Sequence, residues 1–155
     1  MTPNDTLEML AAEAALGLGD AERLTRDAVE LLTAGFDSPA LVALAGLSGD
    51  DTSEARALRD RAMAEMSIAT PSQREATILL AREVARKIVD GDLPPYDGAE
   101  RIWSLTLRVH PERIHDLDPF VYAASEWESR PGDRPFFENA IMNEARALIG
   151  EDCTT

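Results

Sequence analysis

Histidine, cysteine and lysine are nearly missing from this chain of 155 residues, which limits the chemistry that its side chains can perform. The single cysteine, Cys153, cannot form a disulfide bond within the chain. The two histidines, His110 and His115, have no serine nucleophile motif near them, so neither a Ser-His-Asp nor a Cys-His arrangement is predicted. The sequence therefore predicts a protein that is not an enzyme.

Long apolar runs are absent too, and no stretch approaches the roughly 18 apolar residues that a membrane span requires. The first residues do not combine a basic segment with an apolar one, as a secretory signal would. We therefore expect a cytoplasmic protein that does not associate with membranes.

No cofactor is predicted either. Gly17 and Gly19 suggest a dinucleotide-binding loop, but they follow a predicted helix instead of a strand. Glu22 also stands where such a loop needs its third glycine. The two glycines are better interpreted as a helix end followed by a turn.

Basic residues are few, at 15 against 29 acidic residues, and the formal net charge is −14. A surplus of this size repels nucleic-acid phosphates and anionic lipids, and it attracts cationic surfaces. The expected partner is therefore a basic protein, with self-association as the alternative, and nucleic acid is not expected.

Helical signals dominate what the sequence does contain. Alanine is the commonest residue, and apolar residues recur every three or four positions instead of alternating. Several capping residues precede these apolar patterns and mark expected helix starts. They are Asp20, Ser38, Asp51, Thr70, Asp97 and Asp118. The sequence predicts an all-α fold, a compact bundle of seven or eight short helices.

The length suits one domain with its own core. We expect a single helical domain over residues 1–150 and a polar tail over 151–155. As an alternative, the connection at residues 67–72 divides the chain into lobes 1–68 and 70–150.

Residues 38–62 have the pattern of two short helices joined by a turn, which is similar to a helix-turn-helix. The second helix carries Arg56, Arg59 and Arg61, but Asp51 and its neighbours would occupy the turn that approaches DNA. A helical DNA-binding or transcription-associated module is therefore kept as an alternative function.

Glu112 and His115 form a Glu-x-x-His motif, which places both side chains on one face of a helix. Helical di-iron sites use two such motifs, and this chain has one. The two residues are weak metal-ligand candidates, and a metal-dependent enzyme using carboxylates and histidine is the second alternative.

Aromatic residues are scarce and unevenly distributed. Seven of the eight lie between Tyr96 and Phe137, and the first 95 residues contain only Phe36. On the helix expected from Pro119, Phe120 and Trp127 fall on the core-facing stripe, and Tyr122 points elsewhere. Neighbouring residues on a helix diverge by about 100°, so Phe136 and Phe137 cannot both face one core.

Exposed aromatic rings among carboxylates are typical of a surface that binds a basic partner. Some immunity proteins that inhibit nucleases, and some DNA mimics, share this small, acidic, helical character, although no motif connects them to this chain. The sequence therefore predicts a non-enzymatic interaction protein with an inhibitor-like or adaptor role. Its expected partner-binding residues are Asp116, Asp118, Tyr122, Glu126, Glu128 and Phe136.

Overall fold

The computed structural model describes residues 1–108 and 113–150, which form eight α-helices and two short 3₁₀ helices without any β-strand. The all-α prediction is therefore confirmed. Among these described helices, none is long and apolar enough to cross a membrane.

The chain divides into two compact units, Met1–Ala76 and Thr77–Thr155. The division lies a few residues after the lobe boundary that the sequence offered as an alternative. The single domain over residues 1–150 stays a prediction, and the predicted tail lies outside the described residues.

The first unit is built around a leucine-rich core. Leu10, Leu24, Leu31, Leu41 and Leu44 are all fully buried there and come from three helices. The helix α2 packs against α1, α3 and α4, and α3 also packs against α4. The four helices are α1 (Pro3–Leu16), α2 (Ala21–Thr33), α3 (Pro39–Ala45) and α4 (Thr52–Glu65).

Three of the predicted helix starts in this unit have the expected caps. The side chains of Asp20, Ser38 and Asp51 each accept the backbone N–H three residues further on, at 3.0, 2.9 and 3.0 Å. Each cap satisfies one of the N–H groups that the first turn of a helix leaves without a partner.

Two arginines of α4 hold the connection between α1 and α2. The Arg59 side chain is 1% exposed, and its guanidinium donates to the backbone carbonyl of Leu18 and to the carboxylate of Asp60. One helical turn earlier, Arg56 donates to the carbonyl of Gly19 at 2.7 Å. A buried cation is tolerated only when it is fully hydrogen-bonded, so these contacts explain how Arg59 can lie in a core.

The core of the second unit combines six alanines with seven larger side chains, such as Ile102, Phe120 and Ile141, which fill the space between helices. Its helices α6 and α8 both pack against α7 and against each other. The bounds are α5 (Gln73–Val89), which begins before the division, α6 (Pro95–Thr106), α7 (Asp118–Ser129) and α8 (Arg134–Leu148), with 3₁₀ helices at His115–Leu117 and Pro131–Asp133.

Three predicted caps were wrong. Asp97 lies inside the first turn of α6, which begins at Pro95 and has no capping hydrogen bond from a side chain. Ser72 takes the place predicted for Thr70 and accepts the N–H of Glu75 at 3.1 Å. Asp118 makes no capping hydrogen bond at the start of α7. Its carboxylate instead pairs with Arg113, because a cationic partner attracts an ionised carboxylate more strongly than a neutral N–H does.

Gly98 of α6 packs directly against the side chain of Ile88 on α5. A Cβ atom added there would overlap Cγ1 and Cδ1 of Ile88, whose side chain is fully buried. Glycine is therefore required at this position for packing, although it is a poor helix former.

We predict that replacing Arg59 with Ala destabilises the protein by about 3 kcal/mol, because it removes the partner of a backbone carbonyl and leaves a cavity. Arg61→Ala, on the same helix at an exposed position, is the control and should change stability by no more than ~0.5 kcal/mol. Urea unfolding followed by far-UV circular dichroism measures both. Equal effects would show that the buried guanidinium is not a structural support.

We predict that Gly98→Ala lowers stability by about 1–2 kcal/mol, although alanine is the better helix former by about 1 kcal/mol. The overlap with Ile88 outweighs the gain in helix propensity. Adding Ile88→Ala should remove this penalty, which a double-mutant cycle in thermal unfolding would detect as a coupling of ~1 kcal/mol or more. A stabilised Gly98→Ala protein would contradict the packing argument.

Candidate functional site

The side chain of Trp127 on α7 lies between groups from two other helices. The Tyr96 ring of α6 stacks on it with ring centroids 3.9 Å apart and an angle of 14° between the planes. The guanidinium carbon of Arg134, at the start of α8, lies 3.8 Å from the indole centroid. Two groups this close would overlap on one face, so they cover opposite faces of the indole. Stacking and cation–π attraction thus join three helices through one ring.

Hydrogen bonds fix the same ring in place. The indole Nε1 donates to Glu138 at 3.2 Å, and Arg134 Nε donates to the backbone carbonyl of Trp127 at 3.3 Å. The hydroxyl of Tyr96 donates to the carboxylate of Glu128. This bond raises the pKa of Tyr96 to about 12, because ionisation would place a phenolate against a carboxylate.

On α7 and α8, two large aromatic side chains lie on the surface. Tyr122 is 61% exposed and Phe136 is 68% exposed, whereas Phe137 is buried. Both exposed rings contact the Phe137 ring edge-on, with centroid distances of 6.5 Å for Tyr122 and 5.1 Å for Phe136. The two exposed rings therefore share one buried neighbour, and we call Tyr122, Phe136 and Phe137 the aromatic patch.

Charged groups surround the aromatic patch. The guanidinium carbon of Arg130 lies 5.6 Å from the Phe137 ring centroid. The same side chain pairs with Glu126 at 3.4 Å and with Asp133 at 2.9 Å. Because two carboxylates share one guanidinium, these three charges sum to −1.

The predicted site residues fall into separate groups. The structure places Tyr122 and Phe136 against the same buried ring, Phe137, and Glu126 is connected to that ring through Arg130. Glu128 lies with Tyr96 instead, as the acceptor of the phenol hydroxyl.

The two aspartates that precede α7 have different surroundings. Asp118 is bound by Arg113 at 3.0 Å and by His115 at 3.3 Å, and the hydrogen bond from Arg113 lowers its pKa. Asp116 is exposed and lines a separate recess together with Arg82 and Glu144.

Sequence reasoning missed Tyr96, Arg130 and Arg134 as parts of this surface. The pairing of Arg130 with Glu126 could have been found, because residues four apart on a helix are neighbours. Tyr96 precedes Glu128 by 32 residues, and no local pattern predicts that contact.

The proposed metal ligands are only partly described. The His115 side chain is 80% exposed and is bound to Asp118, and Glu112 lies outside the described residues. Within residues 1–108 and 113–150, no group of three or more His, Cys, Asp or Glu side chains is arranged to hold a metal ion. The metal-enzyme alternative therefore stays a prediction.

Residues 38–62 correspond to α3, a connection and α4. Two of the three arginines counted toward DNA contact, Arg56 and Arg59, donate to carbonyls between α1 and α2. Arg61 is exposed. The DNA-binding alternative stays a prediction, but two of its cations already serve the fold of the first unit.

The fold and the patch together describe an all-helical acidic protein with an exposed aromatic surface. Comparison of the chain with protein-family models, with curated proteins and with solved structures finds no match.

We predict that Glu128→Gln moves the pKa of Tyr96 from about 12 toward its ordinary value of 10.0. Glu126→Gln is the control, since that carboxylate accepts from Arg130 and not from Tyr96. Tyrosinate absorbance, with the titration of Tyr96→Phe subtracted, isolates this phenol. An unchanged titration in Glu128→Gln would show that this carboxylate does not hold the phenol proton.

The sign of the stability effect follows from the raised pKa. The unfolded chain loses the phenol proton first, so the stabilisation from this hydrogen bond is complete below pH 10 and is lost as pH rises toward about 12. We expect the stability difference between the wild type and Tyr96→Phe to shrink across that interval. A difference that stays constant through the interval would contradict this expectation.

Proposed function

We propose that this chain is a non-enzymatic, cytoplasmic interaction protein whose aromatic patch binds a basic protein partner. The observation that carries the proposal is the exposure of Tyr122 and Phe136 over the same buried ring. Isolated exposed apolar side chains are ordinary on protein surfaces, but two exposed aromatic rings that share one buried neighbour present the aromatic area typical of interface hot spots.

The patch is held rigidly before any partner arrives. Tyr122 and Phe136 project from α7 and α8, and the Trp127 stack ties these two helices together. Each ring also rests on Phe137, which restricts its rotation. Less conformational entropy is then lost on binding, so more of the contact energy contributes to affinity.

Charge favours a basic partner over a second copy of the chain. Two copies would each carry a net charge of −14, so they would repel one another as the patches approached. A basic protein is attracted to the same surface, and the attraction raises the rate of encounter more than the final affinity. Added salt should therefore slow the association.

The test uses the purified chain as bait in the lysate of its source cells, with bound proteins identified by mass spectrometry. Tyr122→Ala with Phe136→Ala should retain at least ~10-fold less of a basic partner than the wild type, because both hot-spot rings are lost. The matched control is Val29→Ala with Val42→Ala, which truncates two exposed apolar residues of the first unit. The control should retain the partner fully, and washing with high salt should reduce capture by the wild type.

Circular dichroism of both double variants confirms that the helices are retained. Equal capture by the aromatic double variant would remove the patch from consideration, and an acidic partner would contradict the charge argument. Light scattering that shows a wild-type dimer, broken by Tyr122→Ala with Phe136→Ala, would replace the basic partner with a second copy.

A further inference from the structure

The second unit contains a recess of about 370 Å³ that is separate from the aromatic patch. Its walls come from α5, from the chain that leads into α7, and from the last turns of α8. A volume of this size falls within the range of small-molecule sites in proteins.

Charges of both signs line the recess and do not neutralise one another. Arg82 contributes a guanidinium, and Asp116 and Glu144 contribute carboxylates. None of these three side chains has a hydrogen bond or an ion pair with any part of the chain that the structure describes. By contrast Arg86, one turn further along α5, pairs with Glu83 at 3.2 Å. The guanidinium of Arg82 and the two carboxylates therefore lie apart, with the open space of the recess between them.

From this arrangement we infer that the recess binds a small zwitterion of the α-amino acid class. A planar guanidinium binds a carboxylate through two parallel hydrogen bonds, which assigns the ligand's carboxylate to Arg82. An ammonium group donates to carboxylates, which assigns it to Asp116 and Glu144. Pro119 and Leu148 supply apolar wall for an aliphatic side chain.

Ligands of a single charge sign fit this recess less well. A polyamine would be attracted by the two carboxylates and repelled by Arg82. A phosphate or a dicarboxylate would be attracted by Arg82 and repelled by Asp116 and Glu144. A ligand that carries an ammonium group and a carboxylate makes a favourable contact with all three side chains.

Binding at this recess should be weak. Arg82 and Asp116 are exposed to solvent, where water screens ion pairs. We expect a dissociation constant of about 1 mM for L-leucine, the probe that combines both charges with an aliphatic side chain.

The test is a titration of the ¹⁵N-labelled full chain with L-leucine, followed by amide chemical shifts. Saturable shifts should appear among residues 115–118 and 144–148, around the recess. Two analogues separate the charges: 4-methylpentanoate lacks the ammonium group, and 3-methylbutylamine lacks the carboxylate. Each should bind at least ~10-fold more weakly than L-leucine.

Variants assign the charges to residues. Arg82→Gln and Glu144→Gln should each weaken L-leucine binding at least ~5-fold, and the control Arg86→Gln on the same helix should leave it unchanged. The double variant Tyr122→Ala with Phe136→Ala should also bind L-leucine normally. The result for the recess therefore does not depend on whether the aromatic patch binds a partner, and each proposal can be rejected separately. The inference is overturned if L-leucine gives no saturable shifts up to about 20 mM, if either analogue binds equally well, or if Arg82→Gln has no effect.

Discussion

The second unit depends on the contact of one indole ring with two helices beside its own. Trp127 supplies the ring, and Tyr96 and Arg134 cover its two faces. Alanines make up six of the thirteen buried core residues of this unit, and these small side chains let the helices approach closely but offer little area for specific packing. The stack supplies that specificity. It also fixes the position at which α8 begins, and so the direction in which Phe136 points, since Arg134 is the first residue of that helix.

Three arginines of this acidic chain make contacts that hold its helices together. Arg59 is buried against a carbonyl, Arg134 covers the indole, and Arg130 lies over Phe137 while bridging two carboxylates. Lysine could not substitute in these places, because the planar guanidinium stacks on rings and donates in several directions at once. Because these arginines are engaged in such contacts, they do not pair with the other carboxylates, and many acidic groups face solvent. The negative surface and the aromatic contacts are therefore consequences of the same composition.

Local chemistry allowed much of the fold to be predicted. The caps Asp20, Ser38 and Asp51 lie where the sequence indicated, and the divergence of Phe136 from Phe137 follows from the geometry of a single helix. Contacts between helices were beyond that reasoning. Asp118 has the chemistry of a cap but meets Arg113, and Glu128 is engaged by Tyr96 from another helix. Ionised side chains bind the strongest partner within reach, and which partner is within reach depends on tertiary packing.

Both tryptophans, Trp103 and Trp127, lie in the second unit, and so do both tyrosines. The first unit has Phe36 as its only aromatic residue. Intrinsic tryptophan emission therefore follows the melting of one half of the molecule and is blind to the other, whereas helix content measured by dichroism counts both. Superimposing the two signals during denaturation reveals whether the halves melt together or in sequence, without any added label.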